Sequence, residues 1–268
     1  MRVSKAETTM NYVVLVLFAL FALTPIITIL TTAVSPRIGA EPGFHPENFV
    51  EAWEVGGFGD SLWNSLIVAA IVVSCALALS VLSGYAFGTM RFRGSTVLFY
   101  LFLLGLMIPA EATVIPLFFD LRSLGLTDTY LAIALPQIAQ SVAFGTFWLR
   151  AQFRSMPESL MEAAALDGAG PVKALTRVLV PASIPALTTL TVLVFMWTWN
   201  EFLIALVMTP SGQRRTAPLG LANFQGQYTS EIALLSAGAV IVALPMVILF
   251  LFLQRHFIRG MLEGATKS

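Results

Sequence analysis

An all-α membrane protein with six transmembrane helices is what this sequence predicts, and three observations carry that reading. Only 11% of the 268 residues are charged and 57% are hydrophobic, with a mean hydropathy of +0.83. Soluble domains carry about 25% charged residues, so lipid is the main solvent. Six apolar runs then reach the roughly 20 residues that a bilayer crossing needs. Finally, these runs lack the alternation at every second residue that a membrane barrel shows, and inside hydrocarbon a single strand leaves its backbone unsatisfied.

The runs lie near 12–30, 66–87, 96–118, 130–149, 186–208 and 232–253. The first follows Arg2 and Lys5, as the core of a signal peptide would, and "TAVS" offers a small-residue cleavage site. The run is longer than such a core usually is, and it is read as a retained span. In the second run Ala76, Ser80, Gly84 and Gly88 recur every four residues, a small-residue face that another helix can approach closely. The third and fifth each hold one acid, Glu111 and Glu201, whereas the rest are free of charge. Cys75 lies inside the second run and reads as a small buried hydrophobe; a single cysteine excludes an internal disulfide.

Orientation follows from lysine and arginine in the loops. With the N-terminus in the cytoplasm, the inner side holds Arg2, Lys5, Arg91, Arg93, Arg150, Arg154, Lys173, Arg177, Arg255, Arg259 and Lys267. The outer side holds only Arg37, Arg122, Arg214 and Arg215. Both termini are therefore expected inside. The first outer loop, "SPRIGAEPGFHPENFVEAWEVGGFGD", is acidic and rich in Pro and Gly, and is expected to be ordered only in part. The whole chain, 1–268, reads as one transmembrane domain with a cytoplasmic loop at 150–184.

That loop contains "PESLMEAAALDGAGPVKALTRVLVPASIPAL", a polar interruption of an apolar chain. "SMPE" has the form of a capping box, with Ser155 as N-cap and Glu158 reaching back. Pro157 suits a first turn. A short helix runs through "ESLMEAAALD" until Gly168 stops it, and "GP" at 170 and 171 opens a second helix ending near Pro181. So short a helix is unstable alone in water and must dock onto something. Ala163, Ala164 and Ala165 give it a smooth face that fits a groove, and Glu158, Glu162 and Asp167 can meet basic residues there. The same acids would equally pair with Arg154 or Lys173 in a solvated connector.

"EAAALDGA", followed thirteen residues after Gly168 by Pro181, resembles the EAA loop of ABC importer permeases, with Glu162, Ala163, Ala164 and Gly168 in register. Val180 stands where that family usually has leucine. "IPAEATVIPLF", "WTWNEFLIAL", "TAPLGLANFQGQY" and "QRHFIRGMLEGATKS" are similar to the carbohydrate-uptake permeases, specifically the smaller second subunit of the maltose-type pair. The first span and the acidic outer loop are not covered.

The resemblance implies the MetI-like fold of a type I importer, here half of the translocation path for a sugar or oligosaccharide. It also implies partners: a second permease, an extracytoplasmic solute-binding protein, and a cytoplasmic ATPase dimer that holds ATP and magnesium. The EAA loop would supply the helix that enters a cleft of that ATPase, and the last outer loop would reach the binding protein through Gln213, Asn223, Gln225 and Gln227.

What the chain lacks points the same way. Its three lysines, at 5, 173 and 267, follow no phosphate-binding glycine pattern. The two histidines, His45 and His256, are placed on opposite sides of the membrane, so no catalytic or metal cluster joins them. No cofactor, enzymatic activity or nucleic-acid partner is expected of this chain. Intramembrane acids are functional candidates, and Trp197, Asn200 and Glu201 offer the stacking face and acceptors that a sugar requires. The alternatives are that Glu201 pairs with another helix, and that Glu111, between Pro109 and Pro116, orients a broken third helix. A secondary transporter, or a scaffold subunit that never meets solute, is the competing function.

Overall fold

A computed structural model of the chain describes residues 5–225 and 231–265, and the regular elements among them are all helical. Among the described residues four helices are long and apolar enough to cross a membrane, and two bent pairs bring the number of candidate crossings to six. The chain divides into two compact units: Met1–Gly59 with Gly220–Pro245, and Asp60–Leu219 with Met246–Ser268.

The first unit begins with α1 (Lys5–Ala33), in which, from Glu7 on, only the last residue, Ala33, is buried. The loop after it is folded rather than partly ordered. Asn48 opens α2 (Asn48–Val55) and is buried, donating Nδ2 hydrogen bonds to the Ala33 carbonyl at 3.1 Å and the Ser35 carbonyl at 3.0 Å. The His45 backbone N–H reaches the Val34 carbonyl at 2.9 Å, closing the loop on the end of α1. Arg37 pairs with both Glu51 and Glu231. Composition misled here because Pro and Gly signal turns, while the tie is made by one buried amide and one bidentate cation.

The second unit is built on α3 (Phe58–Thr89) and α6 (Tyr130–Arg154). The small-residue face of α3 receives α6. A Cβ at Gly84 would stand 2.8 Å from Leu149 Cβ, and one at Gly88 would stand 3.2 Å from Phe153 Cβ. Gly145 of α6 is equally filled by Ser80, and Ser83 and Thr146 share a hydroxyl hydrogen bond of 2.6 Å. Cys75 lies off this face and is exposed, so it is not the buried hydrophobe expected.

The third span is not one rod. It consists of α4 (Ser95–Met107) and α5 (Ala110–Ser123), bent by 97°. Ile108 takes the extended conformation that a following proline imposes, and Pro109 has no N–H to continue the ladder.

The fifth span is entered through a bend and broken once within. After the short α7 (Glu158–Leu166) comes α8 (Pro171–Ala174), a π-helical turn at Leu175–Leu179, and α9 (Val180–Ala182). The chain then bends by 78° into α10 (Ile184–Trp199), with Pro185 in its first turn. It breaks at residues 200–202 before α11 (Leu203–Met208). The expected continuous helix over 186–208 therefore ends at Trp199. Trp148 of α6 fixes the start of α10 by donating its indole N–H to the Ala186 carbonyl at 3.1 Å. The short α12 (Ala217–Gly220) and a 3-10 turn at Leu221–Phe224 precede α13 (Ile232–Ala265).

Candidate translocation path and coupling helix

Both helix breaks open onto one cavity. About 360 Å³ in volume, it is lined at the α4–α5 bend by Ile108, Pro109 and Glu111, and near the α10–α11 break by Trp197, Thr198 and Glu201. Gln137 and Gln140, one turn apart on α6, complete its polar wall. Broken helices place polar side chains at membrane depth where a cavity, rather than lipid, receives them. Three of the four candidate path residues thus converge: Glu111, Trp197 and Glu201.

Asn200 does not join them. Its side-chain amide turns back to the Met196 carbonyl at 2.8 Å and caps the end of α10. Glu201 has a structural partner as well, accepting the Ile204 backbone N–H at 2.8 Å and satisfying the start of α11. Trp197 is held edge-on by Phe144 at 5.0 Å between ring centroids, and Phe144 stacks on Trp148. Gln137 and Gln140 were not legible as site residues, because each sits in an ordinary amphipathic helix pattern.

At the far end of α6, the loop forms the helix–corner–helix that its sequence predicts, with one difference in capping. Ser155 is not the N-cap of α7. Its hydroxyl donates to the Gln152 carbonyl at 2.9 Å, so it finishes α6, and Pro157 occupies the cap position of α7 without a side-chain bond. A serine hydroxyl bonds as readily to the turn behind it as to the helix ahead.

The C-terminus of α7 is a Schellman motif. The Ala169 N–H reaches the Ala164 carbonyl at 2.9 Å, the Gly168 N–H reaches the Ala165 carbonyl at 3.0 Å, and Gly168 has φ +74°. Gly170 then caps α8, which starts at Pro171. Ala164 is buried within the chain, whereas Glu158, Glu162, Ala163, Ala165 and Asp167 face outward. The most exposed large apolar residue of α7 is Leu166, 89% exposed and one turn after Glu162. The alanine face expected for docking is therefore divided: Ala164 is buried, Ala163 and Ala165 are exposed, and Ala163 forms one outward face with Glu162 and Leu166.

Among the residues expected to reach a binding protein, Gln213 is exposed in the second unit, while Asn223 and Gln225 are exposed in the first. Asn223 donates to the Val55 carbonyl at 3.1 Å. Gln227 lies outside the described residues. A tie the sequence did not reveal joins the loop before α6 to the loop after α11: Asp128, at φ +60°, accepts the Ser211 N–H at 3.0 Å and its hydroxyl at 2.6 Å.

Residues 76–263 match the family described as the binding-protein-dependent transport system inner membrane component. A probable ABC transporter permease protein, YurM of Bacillus subtilis (strain 168), is 36% identical over 225 residues, covering 84% of this chain and 75% of the relative. The trehalose transport system permease protein SugB of Mycobacterium tuberculosis (strain CDC 1551 / Oshkosh) is 32% identical, covering 92% of this chain and 93% of the relative. A chain in the crystal structure of a bacterial ABC transporter that imports the acidic polysaccharide alginate superposes with a TM-score of 0.78 at 24% identity, covering 96% of this chain and 99% of that one. With the matched region spanning both broken helices, the loop at 150–184 and most of α13, the chain belongs to the inner membrane components of binding-protein-dependent transport systems, the permeases of ABC importers.

Proposed function

We propose that this permease forms half of the path for a sugar or oligosaccharide and is driven by a separate ATPase through α7. The cavity between the two helix breaks carries the reading. Glu111, Glu201, Gln137 and Gln140 supply acceptors and donors for hydroxyl groups, and Trp197 supplies an apolar face for the carbohydrate ring. The substrate class draws support from relatives named for trehalose, trehalose/maltose and arabinooligosaccharide transport. Membership of this family sets aside a self-contained secondary transporter.

In this reading the chain pairs with a second permease and receives solute from an extracytoplasmic binding protein. A solved relative that superposes with a TM-score of 0.71 is a transporter in complex with a periplasmic protein holding an alginate pentasaccharide. ATP and magnesium belong to the ATPase, and this chain is a transport component rather than an enzyme. The whole of 1–268 acts as one permease domain. Both its termini and α7 lie in the cytoplasm, which the excess of arginine and lysine on that side supports.

Reconstituted importer in proteoliposomes tests the proposal. Uptake of a labelled oligosaccharide should require ATP, the ATPase and the binding protein together. Trp197→Ala and Gln140→Ala should change the ranking of transported solutes while the complex stays assembled. An unchanged ranking would leave the chain a scaffold that never meets solute.

A further inference from the structure

We propose that a second cavity, framed by Arg91, Arg150 and Arg154, binds the phosphate headgroup of an anionic phospholipid whose acyl chains run along α4. This cavity measures about 590 Å³ and sits where α3 ends, α4 begins and α6 gives way to α7. That volume lies within the roughly 300–1,000 Å³ of pockets that hold small molecules. Its position at the ends of three membrane helices is the level at which headgroups lie.

Three features point to an anion. Arg150 is oriented rather than free: its guanidinium lies 3.9 Å over the Phe99 ring, and its Nε–H is donated to the Phe87 carbonyl at 3.2 Å. Arg154 follows one turn later on α6, and Arg91 approaches from the loop after α3. Among the described residues none of these three arginines pairs with a carboxylate. Glu158 and Glu162 of α7 line the same cavity, which leaves one positive charge in excess across its wall. Ser95 and Thr96, in the first turn of α4, add hydroxyl groups at a helix end whose dipole favours negative charge.

Two further features select a lipid over a soluble anion. Phe87, Phe92, Phe99 and Phe102 form one aromatic cluster beside Arg150. Beyond them the surface of α4 is apolar and open, with Val97 65% and Tyr100 61% exposed. A ligand with a phosphate at one end and hydrocarbon at the other satisfies both surfaces, and basic pockets between membrane helices bind anionic headgroups on these grounds.

Native mass spectrometry of the complete importer, delipidated and returned to mixed phosphatidylglycerol and phosphatidylcholine, tests the site. Wild type should retain one phosphatidylglycerol. Arg91→Gln with Arg154→Gln should lower that retention on the order of tenfold or more, as expected for two charges removed near the surface. Phosphatidylcholine binding and subunit composition should not change. Equal phosphatidylglycerol retention in the double variant would overturn the proposal. So would displacement of the lipid by millimolar inorganic phosphate, which would make this a soluble-anion site. Loss of the ATPase with lipid retention intact would also overturn it, by assigning the arginines to the carboxylates of α7.

Discussion

The Glu201 carboxylate accepts the Ile204 backbone N–H at 2.8 Å, across the break between α10 and α11. One acid thus shapes the cavity wall and lines it. The two roles separate by substitution, because a glutamine carbonyl still accepts the N–H but carries no charge. Glu201→Gln should keep wild-type thermal stability in detergent, whereas Glu201→Ala should lose about 1 kcal/mol, the usual worth of a helix cap. If transport falls equally in both, the charge serves the path. If only the alanine variant is impaired, the carboxylate serves the fold.

Gly84 makes a second prediction, through packing alone. Its Cα faces Leu149 so closely that an added Cβ would meet Leu149 Cβ at 2.8 Å, with the Arg150 backbone nitrogen at 3.2 Å. Backbone on the opposing helix cannot step aside cheaply. Gly84→Val should therefore destabilise the unit by about 1–3 kcal/mol and lower the yield of assembled permease. Gly168→Ala makes a contrast of cause, since a Cβ there meets nothing within 4 Å and only the left-handed φ of +74° strains the substitution.

These glycines show what the sequence carries openly. A face of Ala76, Ser80, Gly84 and Gly88 can be read because spacing by four is helix geometry itself, and Gly168 can be read because a left-handed stop favours glycine. The breaks are harder to see. Hydrophobicity runs on through Ile108, where only Pro109 marks the break, and at 200–202 the polar pair Asn200–Glu201 has neither proline nor glycine to signal a helix end. Gln137 and Gln140 become site residues only when α5 and α10 fold back beside α6. Leu166 is misleading in another way, since its apolar type suggests burial and its place on α7 leaves it bare.

The loop after α1 should respond to pH. The His45 imidazole lies 2.7 Å from the Glu47 carboxylate and 2.9 Å from the Glu41 carbonyl, and these contacts, the first larger, hold its pKa above the ordinary value. Glu47 is in turn held below the usual carboxylate range by its own backbone N–H and by His45. A raised histidine stabilises fully below its unfolded pKa of about 6.5 and ceases to as pH rises through the folded one. Amide exchange across residues 41–50, corrected for intrinsic rates, should therefore quicken on going from pH 6 to pH 8.5. His45→Gln should abolish that change, and an unaltered pH response in the variant would exclude His45 as its source.

Sidedness can be read with single cysteines, once exposed Cys75 has been replaced by serine. A cysteine at His45 should react with an impermeant thiol reagent applied to intact cells. One at exposed Ala165 should react only after the membrane is opened. Labelling at position 165 from outside would invert the topology and remove α7 from the side where an ATPase works.

The corner after α7 separates folding from coupling. Gly168 stands at φ +74° with open space where a side chain would go, so only the backbone angle opposes substitution there. A left-handed conformation costs about 1–2 kcal/mol for an ordinary residue, more for a β-branched one, and little for asparagine. Gly168→Val should therefore undo the Ala169–Ala164 hydrogen bond and turn the exposed Glu162–Ala163–Leu166 face aside, leaving the α3–α6 packing as it was. Gly168→Asn should keep the corner. On the face itself, Leu166→Asp puts a charge on the outward apolar residue, and Glu162→Lys reverses a charge whose pairing would weaken with salt. Every variant should remain with the second permease, and all but Gly168→Asn should lose the ATPase on co-purification. Asparagine is the control that ties the loss to geometry at φ > 0 rather than to any change at 168. If Gly168→Val and Leu166→Asp both retain the ATPase and transport at wild-type rates, α7 is a connector and the motor engages the permease elsewhere.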